Sequence, residues 1–377
     1  MIIPKRENES VPEWIDRVRG MPPLPGYPAT PEWWIKLFPT KQRCSVTWFE
    51  RLTGCEEDSP DQVRAELEID GPQLRSRRTG QSWLHGRLET PTLAALRDRA
   101  ASVRQTSRTL SVREVVANVQ HLHADECNAN ALFQVASQFN LLEMVSPDVT
   151  PERGVGIYEH DRTQGPACAI AAGAGTIYRN YFAPVNGMTG QSAENQIDCL
   201  ADIASLLGNT GERLWRMVNG YVLPSAKGLK EINETLTRLD GNGRDRIRQA
   251  LQIGLHHDTQ VTLDGSGHVV SQAYCSALPV AYTEHPPRLW EGFATLVLEA
   301  SYEATICAAI ANADRTGNNT VFLTLLGGGA FGNEESWIVS AVRRALLLYR
   351  DSGLDVAIVS YGRSQPCVRD LVAQYAS

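Results

Sequence analysis

From about residue 106 to its end the chain alternates between runs with the length and β-branched content of strands and runs with helical spacing. That alternation restricts it to a layered α/β architecture. ANALFQVASQF predicts a strand, ACAIAAGAG a buried glycine-rich strand or turn, and AENQIDCLADIASLLG a helix. EINETLTRLD and GRDRIRQALQIG read as helices, QVTLDGSGHVVSQAYCSA as a hairpin turning at DGSG, and LWEGFATLVLEASYEATICAAIANA as a long helix. VFLTLL and LDVAIVSYG close the series as strands separated by a helix with apolar residues at Ile338, Val342, Ala345 and Leu346.

Residues 1–105 lack this alternation and are expected to form a small α+β accessory region, with 106–377 as the main domain. The 377 residues, 42% of them hydrophobic, are enough for both. MPPLPGYPATPEWW cannot continue a helix or sheet through its prolines, and with the following WFERLTG it reads as a linker or surface strap. VRAELEIDGPQL and GQSWLHGRLE read as two short strands, and TPTLAALRDRAA as a helix capped by Thr90 or Thr92.

A net charge of -7 and a pI near 5.7 argue against a surface built to neutralise nucleic-acid phosphates or anionic lipid. No apolar run is read as reaching the roughly 18 residues of a membrane span, and the polar start is unlike a secretory signal. A soluble, cytoplasmic protein without nucleic-acid or membrane partners is expected. The eight cysteines are scattered and read as reduced, mostly buried thiols. HLHADEC, His121 to Cys127, holds ligand types without a zinc spacing, so no metal and no cofactor is expected. The common hydrolase and metal signatures G-x-S-x-G and H-E-x-x-H are absent.

LLGGGAFGNEESW places three consecutive glycines between a strand and a helix. Glycines there let a ligand approach the main chain, and free amides at a helix start favour an anion such as phosphate. The plain alternative is a tight turn that binds nothing. Gly327, Gly329 and Gly332 satisfy G-x-G-x-x-G, but a dinucleotide fold carries that motif on its first strand, and here one strand remains. No Lys-Ser or Lys-Thr follows, which excludes a P-loop.

A glycine cradle after the penultimate strand resembles the second ligand loop of macrodomains, and the resemblance covers roughly residues 110–377. It implies a three-layer α/β/α sandwich with a mixed sheet, in which Gly327, Gly328, Gly329, Ala330, Phe331, Gly332 and Asn333 line the ADP-ribose site and the amides of Gly328, Gly329 and Gly332 hold the diphosphate. LFQVASQFNLLE resembles the macrodomain strand ending in an asparagine beside the distal ribose, which places Asn140 there. The chain departs from a plain macrodomain in lacking N-A-A-N and in its long insertion. Those departures look like the divergent macrodomain-type ADP-ribosylhydrolases, including bacterial effectors acting on ADP-ribosylated arginine. The implied partners are ADP-ribose and an ADP-ribosylated protein. A non-catalytic ADP-ribose reader and an interaction scaffold with an empty loop are the alternatives.

Cleaving such a glycosidic bond calls for carboxylates, one to protonate the leaving group and one to activate water. Asp258 and Asp264 in LHHDTQVTLDGSG are the first candidates, with His257 to orient one of them; a strand-end cap and a hairpin-turn residue are their plain readings. Asp161 and Gln164 in EHDRTQGP occupy a polar loop suited to substrate contact, or form an Asx-type turn before Pro166. Glu299 and Glu303 share a helix face, which reads as solvated. Glu334 and Glu335 complement a helix dipole. Phe331 would wall the ligand, Asn333 cap the helix or meet a ribose, and Tyr178 and Arg179 stack on or pair with the nucleotide, or form a core edge.

Overall fold

The computed structural model describes residues 46–103 and 108–375; the proline-rich lead and Cys44 lie outside them. Thr47–Ser377 forms one compact unit. Seven strands build its main sheet: β1 (Arg87–Glu89), β2 (Ser111–Val116), β3 (Leu132–Ala136), β4 (Gly254–Gln260), β5 (Val269–Cys275), β6 (Thr320–Leu323) and β7 (Asp355–Ser360). Their spatial order is β1-β4-β5-β3-β6-β7-β2. The five strands from β5 to β2 run parallel, and β4 pairs antiparallel with both of its neighbours.

Helices cover both faces. On one side lie α1 (Leu93–Ser102), α5 (Gly241–Gln249), α6 (Pro287–Thr316), α7 (Glu335–Leu348) and α8 (Pro366–Ala373); on the other lie α2 (Val119–Ala124), α3 (Gln164–Ala171) and α4 (Gly173–Tyr181). Strand β3 shows how the layers are joined. Successive side chains of a strand point to opposite faces. Phe133 stacks on His123 of α2 with centroids 3.8 Å apart, while Gln134 donates to Thr305 of α6 at 2.9 Å. The result is the mixed-sheet α/β/α sandwich expected from the sequence.

Several local expectations are corrected by packing. ACAIAAGAG is helical, spanning the end of α3 and the start of α4, because its small residues let a helix lie close: a Cβ on Gly175 would stand 2.5 Å from Thr259 Oγ1. WFERLTG is a short helix, Trp48–Thr53, capped by Thr47 and ended by left-handed Gly54, with Trp48 and Phe49 buried. VRAELEIDGPQL begins as the end of a helix, Pro60–Glu66, started by Ser59 and Pro60, before an antiparallel sheet of Leu67–Asp70, Gln73–Ser76 and Ser82–Leu84. AENQIDCLADIASLLG is helical only over Ala201–Leu207. Within the region expected to be accessory, β1 forms the edge of the main sheet against β4, and α1 packs on α6 with Thr92 as its cap.

Helix α6 also corrects two readings. It contains an 18-residue window of mean hydropathy 1.4, long and apolar enough to cross a membrane by composition, yet 83% of that window is buried inside the fold. Glu303, on the same helix, is buried and not solvated. It accepts from Arg97 Nε and Arg344 Nη1, each at 2.6 Å, while Arg97 also pairs with Asp245 of α5 at 2.7 Å. Glu299 pairs with Arg248 at 2.6 Å. Both acids tie the helical layer together. Of the described cysteines, Cys55, Cys168, Cys199, Cys275 and Cys307 are buried, Cys127 is exposed and Cys367 is half-buried; all are free thiols.

Candidate functional site

Parallel strands in an open α/β sheet leave a crevice beyond their carboxyl ends, where consecutive connections diverge to opposite faces. Here that crevice is a cleft of about 1160 Å³, lined by the segments that leave β2, β3, β6 and β7. Ala117 to Gln120 follow β2, Ser137 and Gln138 follow β3, and Tyr361, which is 72% exposed, follows β7. The glycine loop after β6 supplies the largest continuous part of the wall.

The loop's shape comes from its own glycines and from Asn333. Gly327 and Gly332 take left-handed φ values of 75° and 68°, and a Cβ on Gly327 would stand 2.4 Å from that of Ala277. Asn333 closes the loop: its amide donates to Gly327 O at 2.9 Å and its Nδ2 to Leu278 O at 2.8 Å. Asn333 is therefore a loop brace, and the residue at the N-cap of α7 is Glu334. The buried Oδ1 of Asn333 has no partner among the described residues. Among the described residues no protein acceptor meets the amides of Gly329, Ala330 and Phe331, and a Cβ on Gly329 would meet nothing within 4 Å. These amides, followed by the first turn of α7, make a concave donor surface suited to an anion. Beside it Phe331 packs on Tyr221 and Tyr282, with centroids 5.5 Å and 5.6 Å away, forming an aromatic wall.

Across the cleft is a carboxylate that the sequence reading did not single out. Glu143 lines the cleft and is 3% exposed, and among the described residues both of its oxygens lack a hydrogen-bond partner. Burial holds its carboxyl well above the usual carboxylate range; the charge of Arg179 works against this rise and that of Asp161 adds to it. The turn that presents Glu143 is fixed at nearly every amide. Phe139 donates to Gly220 O, Leu141 to Gln138 O, Leu142 to Asn140 Oδ1, Glu143 to Tyr158 Oη and Met144 to Gln138 Oε1, all between 2.9 and 3.1 Å. Leu141 sits at φ 65°, a left-handed conformation costing about 1–2 kcal/mol that persists because the surrounding bonds over-determine it. A lone acid inside QFNLLEM, in a run otherwise destined for burial, is the sequence signal that could have found it.

The sequence candidates divide between the cleft and other places. Asp161 and Gln164 line it, together with Gly327 to Asn333. Asp161 Oδ1 accepts from Thr163 N at 2.8 Å, an Asx-type turn that leaves its other oxygen free of protein bonds among the described residues. Gln164 is spent on the scaffold: it accepts from Ala136 N at 2.9 Å and donates to Gln134 O at 2.8 Å, continuing β3 with a side chain. Asn140 does not reach the cleft. It is wholly buried, donating to Gln196 Oε1 at 2.8 Å and capping the Leu142 amide.

Asp258 and Asp264 are also placed elsewhere. The end of β4 that pairs with Val269 and Val270 lies at the amino end of β5; of the connection that follows, Leu263 reaches the cleft wall, while Asp258 and Asp264 do not line it. There Asp258, in a β-bulge at φ 54°, pairs with Arg315 at 2.8 Å, and Asp264 is an exposed turn residue at φ 52°. His257 turns to Glu89 at 2.8 Å. Arg179 is entirely buried and Tyr178 stacks on His85 with centroids 4.1 Å apart, so both are engaged within the fold. In HLHADEC, His123 is buried with its ring bonded to Val119 O at 2.9 Å and its pKa lowered by burial to about 4. Among the described residues no group of three or more His, Cys, Asp or Glu side chains converges as a metal site would.

No protein-family model matches the sequence, and no curated protein does so. Solved structures give partial matches in chain path. A poly(ADP-ribose) glycohydrolase from Deinococcus radiodurans in complex with ADP-ribose is similar at 11% identity and a TM-score of 0.41, over 76% of this chain and 94% of that one. The poly(ADP-ribose) glycohydrolase from Thermomonospora curvata is similar at 11% identity and a TM-score of 0.41, over 84% of this chain and 95% of that one.

Proposed function

We propose that this protein is an ADP-ribosylhydrolase that removes ADP-ribose from modified protein side chains, with arginine as the modified residue. The observation that carries the reading is the pairing, in one cleft, of an anion-suited amide surface with a buried carboxyl that keeps its proton. ADP-ribose brings a diphosphate for the amides of Gly329, Ala330 and Phe331, and flat or apolar faces for the Phe331, Tyr221 and Tyr282 wall. Its anomeric carbon then faces the Glu143 side of the cleft. Hydrolysis breaks the bond from that carbon to a guanidine nitrogen. Glu143 gives its proton to the departing nitrogen, water adds to the carbon, and the water's proton passes by way of Asp161 back to the Glu143 carboxylate.

Arginine suits the cleft for two reasons. From the neutral form of the ribosylated guanidine the departing group would be a strongly basic anion, so cleavage of that form needs an acid such as Glu143. The oxygen of Asp161 left free of protein bonds among the described residues lies on the cleft wall and complements the guanidinium that the released guanidine becomes on taking up a proton from water. The test is calorimetric binding of ADP-ribose followed by its release from an arginine-modified protein, for wild type, Glu143→Gln and Gly329→Leu. Binding by wild type and Glu143→Gln, release by wild type alone, and binding weakened about tenfold or more in Gly329→Leu are expected. Binding without release by the wild type would make the protein a reader of ADP-ribose, and no binding by the wild type would leave the glycine loop as a turn.

A further inference from the structure

Behind Glu143 lies a buried cation with no acid against it. Arg179 on α4 is 0% exposed, and its guanidinium is bonded only to neutral groups. Nε donates to Leu141 O at 3.1 Å, Nη2 to Thr176 Oγ1 at 3.1 Å, and Nη1 faces His256 Nδ1 at 3.3 Å. The guanidinium carbon stands 3.7 Å over the ring of Tyr274. Burial keeps His256 neutral, so it takes a hydrogen bond and adds no charge. A guanidinium does not give up its proton in a protein, and a buried cation is normally matched by an acid. No carboxylate lies within salt-bridge distance of Arg179 among the described residues.

The missing acid is two residues beyond the carbonyl that Arg179 holds. Leu141 O and Glu143 belong to one rigid turn, so the contact fixes the distance between guanidinium and carboxyl without letting them touch. We propose that Arg179 is a positioning residue: held on Leu141 O in the turn that presents Glu143, and out of ion-pair contact with it, its buried charge stabilises the Glu143 carboxylate that forms when the proton leaves. A direct ion pair would ionise the carboxyl permanently, and no cation at all would leave an acid too weak to donate. The other titratable groups that face Glu143 are Tyr158, Asp161, Cys168, Tyr221 and Tyr274. Of these Asp161 opposes ionisation of Glu143, and the cation that favours it is Arg179.

The inference rests on the reading of Glu143 as the acid, and the two can fail separately. The full chain is labelled with carboxyl-¹³C glutamate, the Glu143 signal is assigned by its loss in Glu143→Gln, and its midpoint is followed by NMR in wild type, Arg179→Lys, Arg179→Met and Arg179→Gln. The Met and Gln variants are expected to raise the midpoint by about one pH unit or more, while Lys, which keeps the charge, leaves it within about half a unit. The basic limb of the pH profile for release should move upward in the same two neutral variants, which loss of the Leu141 contact alone would not cause. Arg179→Gln retains a donor toward Leu141 and Thr176 and keeps the test available if Arg179→Met fails to fold. An unchanged midpoint in the folded neutral variants overturns the inference and leaves the acid reading standing. A raised midpoint with full turnover by Glu143→Gln overturns the acid reading, and with it the part given to Arg179.

Discussion

Replacing Glu143 by glutamine should make the protein progressively more stable than wild type as the pH rises. In the unfolded chain Glu143 ionises near its ordinary value of 4.5, whereas in the fold burial, opposed by Arg179 and reinforced by Asp161, keeps the carboxyl protonated well above it. Below that ordinary value both states carry the proton, so burial of the neutral acid adds no pH dependence. Above it the unfolded state releases a proton that the folded state retains. Stability is therefore lost at about 1.4 kcal/mol per pH unit, and the loss ends only where Glu143 ionises inside the fold. Glutamine has the same shape and no such proton. Its amide adds donors without partners, a cost of about 1–3 kcal/mol that does not vary with pH. The offset between the two proteins is therefore uninformative and the slope is the test. Urea unfolding of both at pH 5, 6 and 7, with equal denaturant dependence checked, gives the difference directly. Other titrating groups cancel in that difference. A gap that stays constant across the series would mean that Glu143 ionises normally in the fold and would refute its assignment as an acid.

The remaining expectations concern the loop, the sequence candidates and the helical layer. Gly329→Leu should change unfolding stability by less than about 0.5 kcal/mol, because its Cβ enters open space, yet weaken ADP-ribose binding by a factor of about ten or more in calorimetry. Asp258→Asn should leave turnover unchanged and alter stability by less than about 1 kcal/mol, since its pair with Arg315 is 47% exposed on the Asp258 side and asparagine tolerates the left-handed backbone. Glu303→Gln should cost about 3 kcal/mol in urea unfolding, at the low end for a broken buried pair, because Arg97 keeps Asp245 and both arginines remain about a quarter exposed.

The parts of the fold that periodicity could reveal are those where one element's own pattern decides. β5, α6, β6, the glycine loop and β7 lie where their apolar spacing and turn residues put them, whereas β4 runs over Gly254–Gln260, ahead of the QVTL expected to open the hairpin. Elsewhere distant partners decide. Alanines and glycines of ACAIAAGAG carry no period, and only the closeness of Thr259 and Trp48 to Gly175 and Gly173 shows why a helix is needed there. Glu299 and Glu303 have the spacing of a solvated face, and the arginines that bury them come from Arg97, Arg248 and Arg344, far away in the chain. Asn140 is polar at the end of a strand, as a ligand residue would be. Its amide is taken up by Gln196 and the Leu142 backbone, and neither contact is visible in local spacing.

The cleft's acid was hidden for a reason that follows from what an acid must do. Polar segments such as LHHDTQVTLDGSG attract notice because their carboxylates sit among turn and charge residues, but such surroundings supply partners: Arg315 for Asp258, and open solvent for Asp264. A partnered or solvated carboxylate stays ionised near neutrality and has no proton to give. A group that must hold its proton at neutral pH needs burial, and burial comes from apolar neighbours. Phe139, Leu141, Leu142 and Met144, which make QFNLLEM look like ordinary core, are all buried and enclose Glu143. For the proposed cleavage of a glycosidic bond, in a sequence without the common hydrolase motifs, a carboxylate inside an apolar run is therefore a stronger candidate than several in a polar one. The glycine loop adds the second condition. A buried acid with no cleft beside it is only a cost in stability, whereas Glu143 shares its cleft with Gly329, Ala330 and Phe331, whose amides have no protein acceptor among the described residues.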